Sequence, residues 1–250
     1  MQTAAVILAG GKIEEDLAGH TRIKSKAFIN IESKYLVEYV IDALKESPYV
    51  SRIVLVSDKD STPKFLRDKV DINVDGGGTM IDSLLNGLKE VDDWPKVLVV
   101  PCDMPIISKD SVKEFLDKAG VKPAQIIYGI VKKEDYIKKF PGMTRTYLSL
   151  KDGVFCGTGF FLLEPRAVRK IKSGLDEVAR LRKTPWKLIT SLGIKTIFKF
   201  LTKQLSIRDL ENKAYELFSV SARAVILERP ESAVNVDKLD DLERVKRFFA

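Results

Sequence analysis

Two cysteines and one histidine in 250 residues exclude several kinds of chemistry at once. Cys102 and Cys156 cannot staple a disulfide scaffold, and with His20 as the only histidine they do not complete a Cys/His zinc site. A His-rich metal centre falls to the same count. No apolar stretch approaches the ~20 residues that a membrane-spanning helix needs. The apolar run from Thr3 to Gly10 has no basic residue before it, so it reads as a strand rather than an export signal. A cytoplasmic address is the expectation that follows. Glycine (15) and proline (10) are ordinary in number and show no period, which removes collagen-like and low-complexity chains. Aromatics reach only 8%, yet hydrophobic residues make up 45% of the chain, enough for a sizeable core.

Charge is present in excess of one sign. Lys and Arg number 42 against 35 Asp and Glu, a net +7. Such a balance suits nucleic acid, anionic lipid or phosphorylated small molecules, and its location narrows the choice. Residues 166–208 carry twelve basic and two acidic side chains, a net +10, so the rest of the chain sums to −3. No aromatic-interleaved basic platform or zinc-finger spacing accompanies the charge, so no nucleic-acid partner is expected. Within the window, Ile194, Ile197, Phe198, Leu201 and Leu205 share one helical face, and Lys195, Lys199 and Lys203 share the other. The expectation is that the apolar face packs on the core. The alternative is contact of residues 194–205 with an anionic membrane surface.

Short runs rich in Val and Ile recur at wide spacing: Ala5–Leu8, Ile53–Ser57, Val97–Pro101 and Gln125–Val131. Each is apolar almost throughout, the mark of strands buried on both faces in a parallel sheet. Leu36, Val40, Ile41 and Leu44 form one helical stripe between them, and Ile81, Leu84, Leu85 and Leu88 form another. The alternation predicts an α/β fold, a mostly parallel Rossmann-like sheet with helices on both faces. Thr144–Leu150 and Val154–Leu163 read as a β-hairpin around Lys151-Asp152-Gly153. Short helices, broken at Gly174, Pro185 and Gly193, are expected after residue 165. Ala222–Glu228 reads as a returning strand and Lys238–Phe249 as a helix. With no repeat and no linker, residues 1–250 read as a single domain with a basic helical insertion at about 165–220.

Three features carry candidate chemistry. Val6-Ile7-Leu8-Ala9-Gly10-Gly11-Lys12 ends a buried strand in two glycines and a lysine. Such a loop lets backbone approach a ligand and can cradle phosphate, or it is simply a tight turn. Ligands in open α/β sheets bind at the carboxyl ends of strands. Asp103 follows the strand Val97–Pro101 at that edge, where a carboxylate can hold Mg²⁺ or cap a turn. Asp237, after a short extended stretch, is either a second metal ligand or the N-cap of the last helix, and capping is the expected role.

Taken together, Leu8-Ala9-Gly10-Gly11, Lys26 in Ser25-Lys26-Ala27-Phe28, Pro101-Cys102-Asp103-Met104-Pro105 and Val236-Asp237-Lys238-Leu239-Asp240-Asp241-Leu242 resemble the MobA-like nucleotidyltransferases. That group has a glycosyltransferase-A-like fold and includes molybdenum-cofactor guanylyl- and cytidylyltransferases and sugar-phosphate nucleotidyltransferases. The resemblance covers roughly residues 1–160 and 222–250. It implies transfer of a nucleoside monophosphate from an NTP to a phosphorylated small molecule or cofactor precursor, with Mg²⁺ as cofactor and pyrophosphate released. The backbone of Leu8, Ala9, Gly10 and Gly11 would contact the nucleotide. Lys26 would neutralise the triphosphate, and Asp103 and Asp237 would hold the metal. Gly78 and Thr79, in Gly76-Gly77-Gly78-Thr79, and Ser83 would lie near the nucleotide.

The 14 residues Lys12 to Ser25 make a longer loop than relatives usually have, so Lys12 or Arg22 would stand for the arginine that relatives place after the glycines. On the acceptor side, Arg145 suits bidentate contact with a phosphate, and Thr158 lies in the later Gly157-Thr158-Gly159 turn. Two other readings remain: a nucleotide-sugar-dependent glycosyltransferase and a non-catalytic nucleotide-binding protein. Cys102-Asp103-Met104 lacks the Asp-x-Asp motif typical of the first.

Overall fold

The computed structural model describes residues 2–11, 25–172 and 194–249. Lys12, His20, Arg22 and the loop around them lie outside the described residues, as do residues 173–193 of the basic insertion with its expected breaks at Gly174, Pro185 and Gly193.

The chain opens with β1 (Thr3–Leu8), followed by the short antiparallel pair β2 (Asn30–Ile31) and β3 (Lys34–Tyr35) and helix α1 (Leu36–Lys45). Next come β4 (Val50–Val56), α2 (Lys64–Arg67), β5 (Ile72–Val74), α3 (Met80–Lys89), β6 (Val97–Pro101) and α4 (Lys109–Val121). Then follow β7 (Ile126–Lys132), α5 (Lys133–Lys139), β8 (Leu148–Leu150), β9 (Gly153–Leu163) and α6 (Pro165–Lys170). Helices α7 (Ile194–Leu201) and α8 (Ile207–Phe218) precede β10 (Ala222–Leu227), and α9 (Leu239–Lys246) is the last described helix.

The main sheet has the order β10-β7-β9-β6-β1-β4-β5, with β8 paired to β9. Pairing is parallel except along β9, which runs against β6, β7 and β8. The mostly parallel α/β sheet read from the sequence is therefore present, with one reversed strand inside it. Reversal brings the first residues of β9 to the edge where its neighbours end: Cys156 lies beside Val131 and Phe155 beside Lys132.

Both faces of β1 are covered. Ala5 and Ile7 pack with Leu36, Val40, Ile41 and Leu44 of α1, while Ala4 and Val6 pack with Leu84 and Leu88 of α3. This is why β1 shows no alternation in the sequence. Gly87 sets how closely α3 approaches. A Cβ there would lie 2.6 Å from Val6 Cγ1 and 2.7 Å from Val56 Cγ2.

Four details differ from the sequence reading. β5 and the β2–β3 pair escaped notice because two or three residues show no period. In the hairpin, only Leu148–Leu150 pairs with β9. Arg145 instead turns its guanidinium inward to the Gly157 carbonyl, 3.0 Å away. The last helix begins at Leu239, with Lys238 and not Asp237 at its N-cap. The Asp241 carboxylate accepts from the backbone N–H groups of Asp237 (3.1 Å) and Lys238 (3.0 Å), so the side chain of Asp237 is not the cap.

The fourth difference concerns residues 194–205. Leu205 is buried, but Phe198 is 68% exposed and Leu201 73% exposed, so the expected packing of the whole apolar face does not occur. Helix α7 stops at Leu201, Lys203 takes a left-handed conformation (φ 55°), and Leu205 is redirected to the β8–β9 turn, where its carbonyl accepts from Lys151 N–H at 2.8 Å. No described helix is long and apolar enough to cross a membrane.

Gly87→Ala should cost about 1–2 kcal/mol, because overpacking against Val6 and Val56 outweighs the gain in helix propensity. Urea unfolding should show a lower midpoint at unchanged slope.

Candidate active site

The loop after β1 is fixed from both sides. Leu8 accepts from Cys102 N–H at 3.1 Å, and Ala9 N–H donates to Val56 at 2.8 Å, so the turn emerges between the ends of β6 and β4. Gly10 and Gly11 are exposed. Among the described residues, a Cβ at Gly11 would meet nothing within 4 Å. The open space suits close approach of backbone to a ligand.

Ser25 ties the next element to this loop. Its hydroxyl donates to the Ala9 carbonyl at 3.0 Å and accepts from Ala27 N–H at 3.3 Å. Lys26 N–H donates to Gly11 at 3.4 Å. Lys26 thus sits beside the glycines whatever path residues 12–24 take. The sequence reading quoted Ser25 without giving it a role. A hydroxyl just before a functional lysine is the signal that would have found it.

The Lys26 ammonium lies 2.6 Å from Asp103 Oδ2 and 2.6 Å from Asp237 Oδ1. These three residues, distant in the chain, are the candidates the sequence reading placed at the centre of the site. Lys26 and Asp103 are largely buried, with side chains 9% and 13% exposed, while Asp237 is 36% exposed. Burial alone would lower the pKa of Lys26, but the charges of Asp103 and Asp237 and their hydrogen bonds outweigh it and hold the ammonium well above the ordinary lysine range.

Two contacts deliver Asp237. Val236 N–H donates to the Asp103 carbonyl at 2.9 Å, joining the tail to the end of β6. Asn235 Nδ2 donates to Asp237 Oδ2 and orients that carboxylate. Asn235 was not among the sequence candidates. Its spacing of two from Asp237 in an extended segment, which places both on one face, is the signal that could have found it.

Asp103 Oδ1 and Asn235 Oδ1 are buried and accept no hydrogen bond among the described residues. Two carboxylates and an amide oxygen form a hard, all-oxygen donor set. Mg²⁺ commonly takes one or two protein carboxylates and completes its shell with water and substrate phosphate, so the residues fit that ion. Cys102, next to Asp103, is not a nucleophile: burial pushes its thiol far above the thiolate range.

The second glycine loop faces the first across Ser83. A Cβ on Gly10 would lie 4.0 Å from Ser83 Oγ, and one on Gly76 3.3 Å. Ser83 Oγ accepts from Gly77 N–H at 2.9 Å and donates to the Thr79 carbonyl at 3.0 Å, so it braces the loop. Thr79 caps α3, accepting from Asp82 N–H at 3.0 Å and donating to Asp82 Oδ2 at 2.9 Å. Gly78 is exposed beside them. The acceptor candidates part company. Arg145 reaches β9 at Gly157, whereas the buried Thr158 hydroxyl donates to the Gly129 carbonyl at 2.9 Å and accepts from Phe160 N–H at 3.1 Å. That hydroxyl ties β9 to β7 at a register shift.

With this geometry in place, a family model described as a MobA-like NTP transferase domain matches residues 5–184. The chain belongs to that family. A probable molybdenum cofactor guanylyltransferase of Clostridium perfringens (strain 13 / Type A) is 35% identical over 115 residues, 45% of this chain and 52% of that protein. A 2-C-methyl-D-erythritol 4-phosphate cytidylyltransferase of Clostridium perfringens (strain SM101 / Type A) is 32% identical over 105 residues, 39% of this chain and 45% of that protein. The chain thus spans about half the length of the curated relatives it matches. A solved structure described as a hypothetical transferase from Thermus thermophilus is 32% identical and superposes with a TM-score of 0.83 over 97% of this chain and 100% of that one.

For this MobA-like chain, Lys26→Met would remove the ammonium that both the Asp103 and Asp237 carboxylates contact. A stability loss of about 3 kcal/mol is expected near neutral pH. In the unsubstituted protein the pair's contribution is complete below the ordinary lysine value of 10.5 and fades as pH rises through the raised folded value. Urea unfolding across pH tests both statements.

Proposed function

We propose that the protein is a Mg²⁺-dependent nucleotidyltransferase that moves a nucleoside monophosphate from an NTP to a phosphorylated small molecule. The observation that carries this reading is the bridge from Lys26 to Asp103 and Asp237, set beside two glycine loops at the carboxyl edge of the sheet. An oxygen of the acceptor phosphate attacks the α-phosphorus, the bond to the β-phosphate bridging oxygen breaks, and pyrophosphate leaves. Such a transfer needs charge neutralisation and alignment rather than a protein nucleophile, which agrees with the inert Cys102.

Backbone N–H groups of Gly10 and Gly11 approach the phosphates. Lys26 turns from its carboxylates toward the triphosphate when nucleotide enters, and carries positive charge at any physiological pH. Asp103, Asp237 and Asn235 would hold Mg²⁺, which when bound would neutralise charge on the α-phosphate and the leaving group. Both guanylyl and cytidylyl chemistry occur among the named relatives. The glycosyltransferase reading has less support, since Cys102-Asp103-Met104 offers one carboxylate where that class uses two.

A pyrophosphate-release assay with four NTPs against sugar phosphates, polyol phosphates and molybdopterin tests the reading. Asp103→Asn should lower turnover by about 10²–10³-fold or more while leaving the fold intact. Unchanged turnover in that variant would reduce Asp103 to a structural residue.

A further inference from the structure

Helix α7 is turned the wrong way round for a core helix. Thr196 is buried, whereas Phe198 is 68% and Leu201 73% exposed. A surface helix ordinarily puts its apolar residues inward and its polar ones in water. Positions 198 and 201 are three apart, so their side chains share one face. A single exposed hydrophobic residue needs no explanation, but an aromatic ring and a leucine together make a patch.

The patch rests on a fixed support. Lys199 pairs with Asp209 of α8 at 2.6 Å, which ties the two helices together. The turn between them is fastened to the β8–β9 turn: Lys151 N–H donates to the Leu205 carbonyl at 2.8 Å, and Ile207 N–H donates to Asp152 Oδ2 at 2.8 Å. Leu205 is buried and anchors the segment. Because the first residues of β9 lie at the carboxyl edge of the sheet, this support stands at that edge.

Charge around the patch is free in one sign alone. Asp209 is occupied by Lys199 and by the backbone N–H and hydroxyl of Ser206, Glu211 by Ala224 N–H at 3.0 Å, Glu216 by Lys213 at 2.9 Å and Asp152 by Ile207. Lys151, Lys203 and Arg208 are exposed and make no ion pair among the described residues. Residues 194–208 hold four basic side chains and no acidic one. Outward apolar groups beside unpaired cations are complementary to a surface that offers hydrocarbon and negative charge together. An anionic phospholipid bilayer is such a surface.

We infer that α7 and the turn after it dock the protein on an anionic phospholipid bilayer. Phe198 and Leu201 enter the headgroup region, and Lys151, Lys203 and Arg208 meet lipid phosphates. The contact is peripheral, since a helix of eight residues is too short to cross a membrane. It is independent of the transferase reading, and the two fail in different assays.

The experiment is flotation of the full chain with vesicles of phosphatidylcholine alone and of phosphatidylcholine mixed with phosphatidylglycerol. Binding is expected to the mixed vesicles only, and to weaken as salt is raised. Phe198→Gln and Leu201→Gln, which keep a good helix former, should each lower the partition coefficient about tenfold. Lys203→Asn, which suits the left-handed backbone there, should lower it about fivefold, the effect of one cation near such a surface. All three variants should keep the parent's Tm and its pyrophosphate release with soluble substrates. No binding to the mixed vesicles, or equal binding by the parent and all three variants, overturns the inference. A fall in Tm in both Gln variants overturns it too, by assigning Phe198 and Leu201 to the interior. Sedimentation without vesicles supplies the remaining check: a dimer that both Gln variants dissociate gives this face to a second copy instead of lipid.

Discussion

One ammonium group holds the site together. Lys26 is joined by 2.6 Å contacts to carboxylates from two other parts of the chain, and it is largely buried while doing so. Buried charge is unfavourable unless paired. Each member therefore constrains the other two, and everything that positions them is coupled. Ser25 holds Lys26 to the glycine loop, β6 projects Asp103, and the Asn235–Asp241 segment delivers Asp237.

The sheet supplies the meeting place. Parallel strands place all their carboxyl ends on one edge, so β1 and β6, being neighbours, bring Gly10 and Asp103 together without any special device. Reversed β9 adds what parallel strands cannot. Its first residues arrive at the same edge, carry the anchor for Arg145 at Gly157, and press Gly159 against Met104. The glycine loop and the anchor of Arg145 thus share an edge but come from strands of opposite direction.

Much of this was legible in the sequence because burial on both faces leaves a plain mark. β1, β4, β6 and β7 announce themselves as runs rich in Val and Ile, and the α1 and α3 stripes pack on the sheet as their spacing requires. Lys26 and Asp103 were legible through motif order. Tertiary choices were not. Whether Asp237 capped α9 or joined Lys26 depended on Asp241 taking the cap, a competition between two carboxylates that spacing alone does not decide. The glycines around Thr158 gave no sign in the sequence of their packing role: Tyr128 crowds Gly157 and Met104 crowds Gly159. The redirection of Leu205 arose from a left-handed turn at Lys203, a residue type that gives no warning of one.

The bridge also joins early sequence to late sequence, and that sets a timetable for biosynthesis. A ribosome releases Lys26 and then Asp103 well before Asp237, which follows Asp103 by 134 residues. At about 5–20 residues per second, the interval is on the order of ten seconds. Throughout it, the nascent protein holds a lysine and one carboxylate without the second. The site is therefore assembled last, by the emergence of the tail, and a prematurely terminated product ending before residue 237 carries the glycine loop but no closed charge cluster.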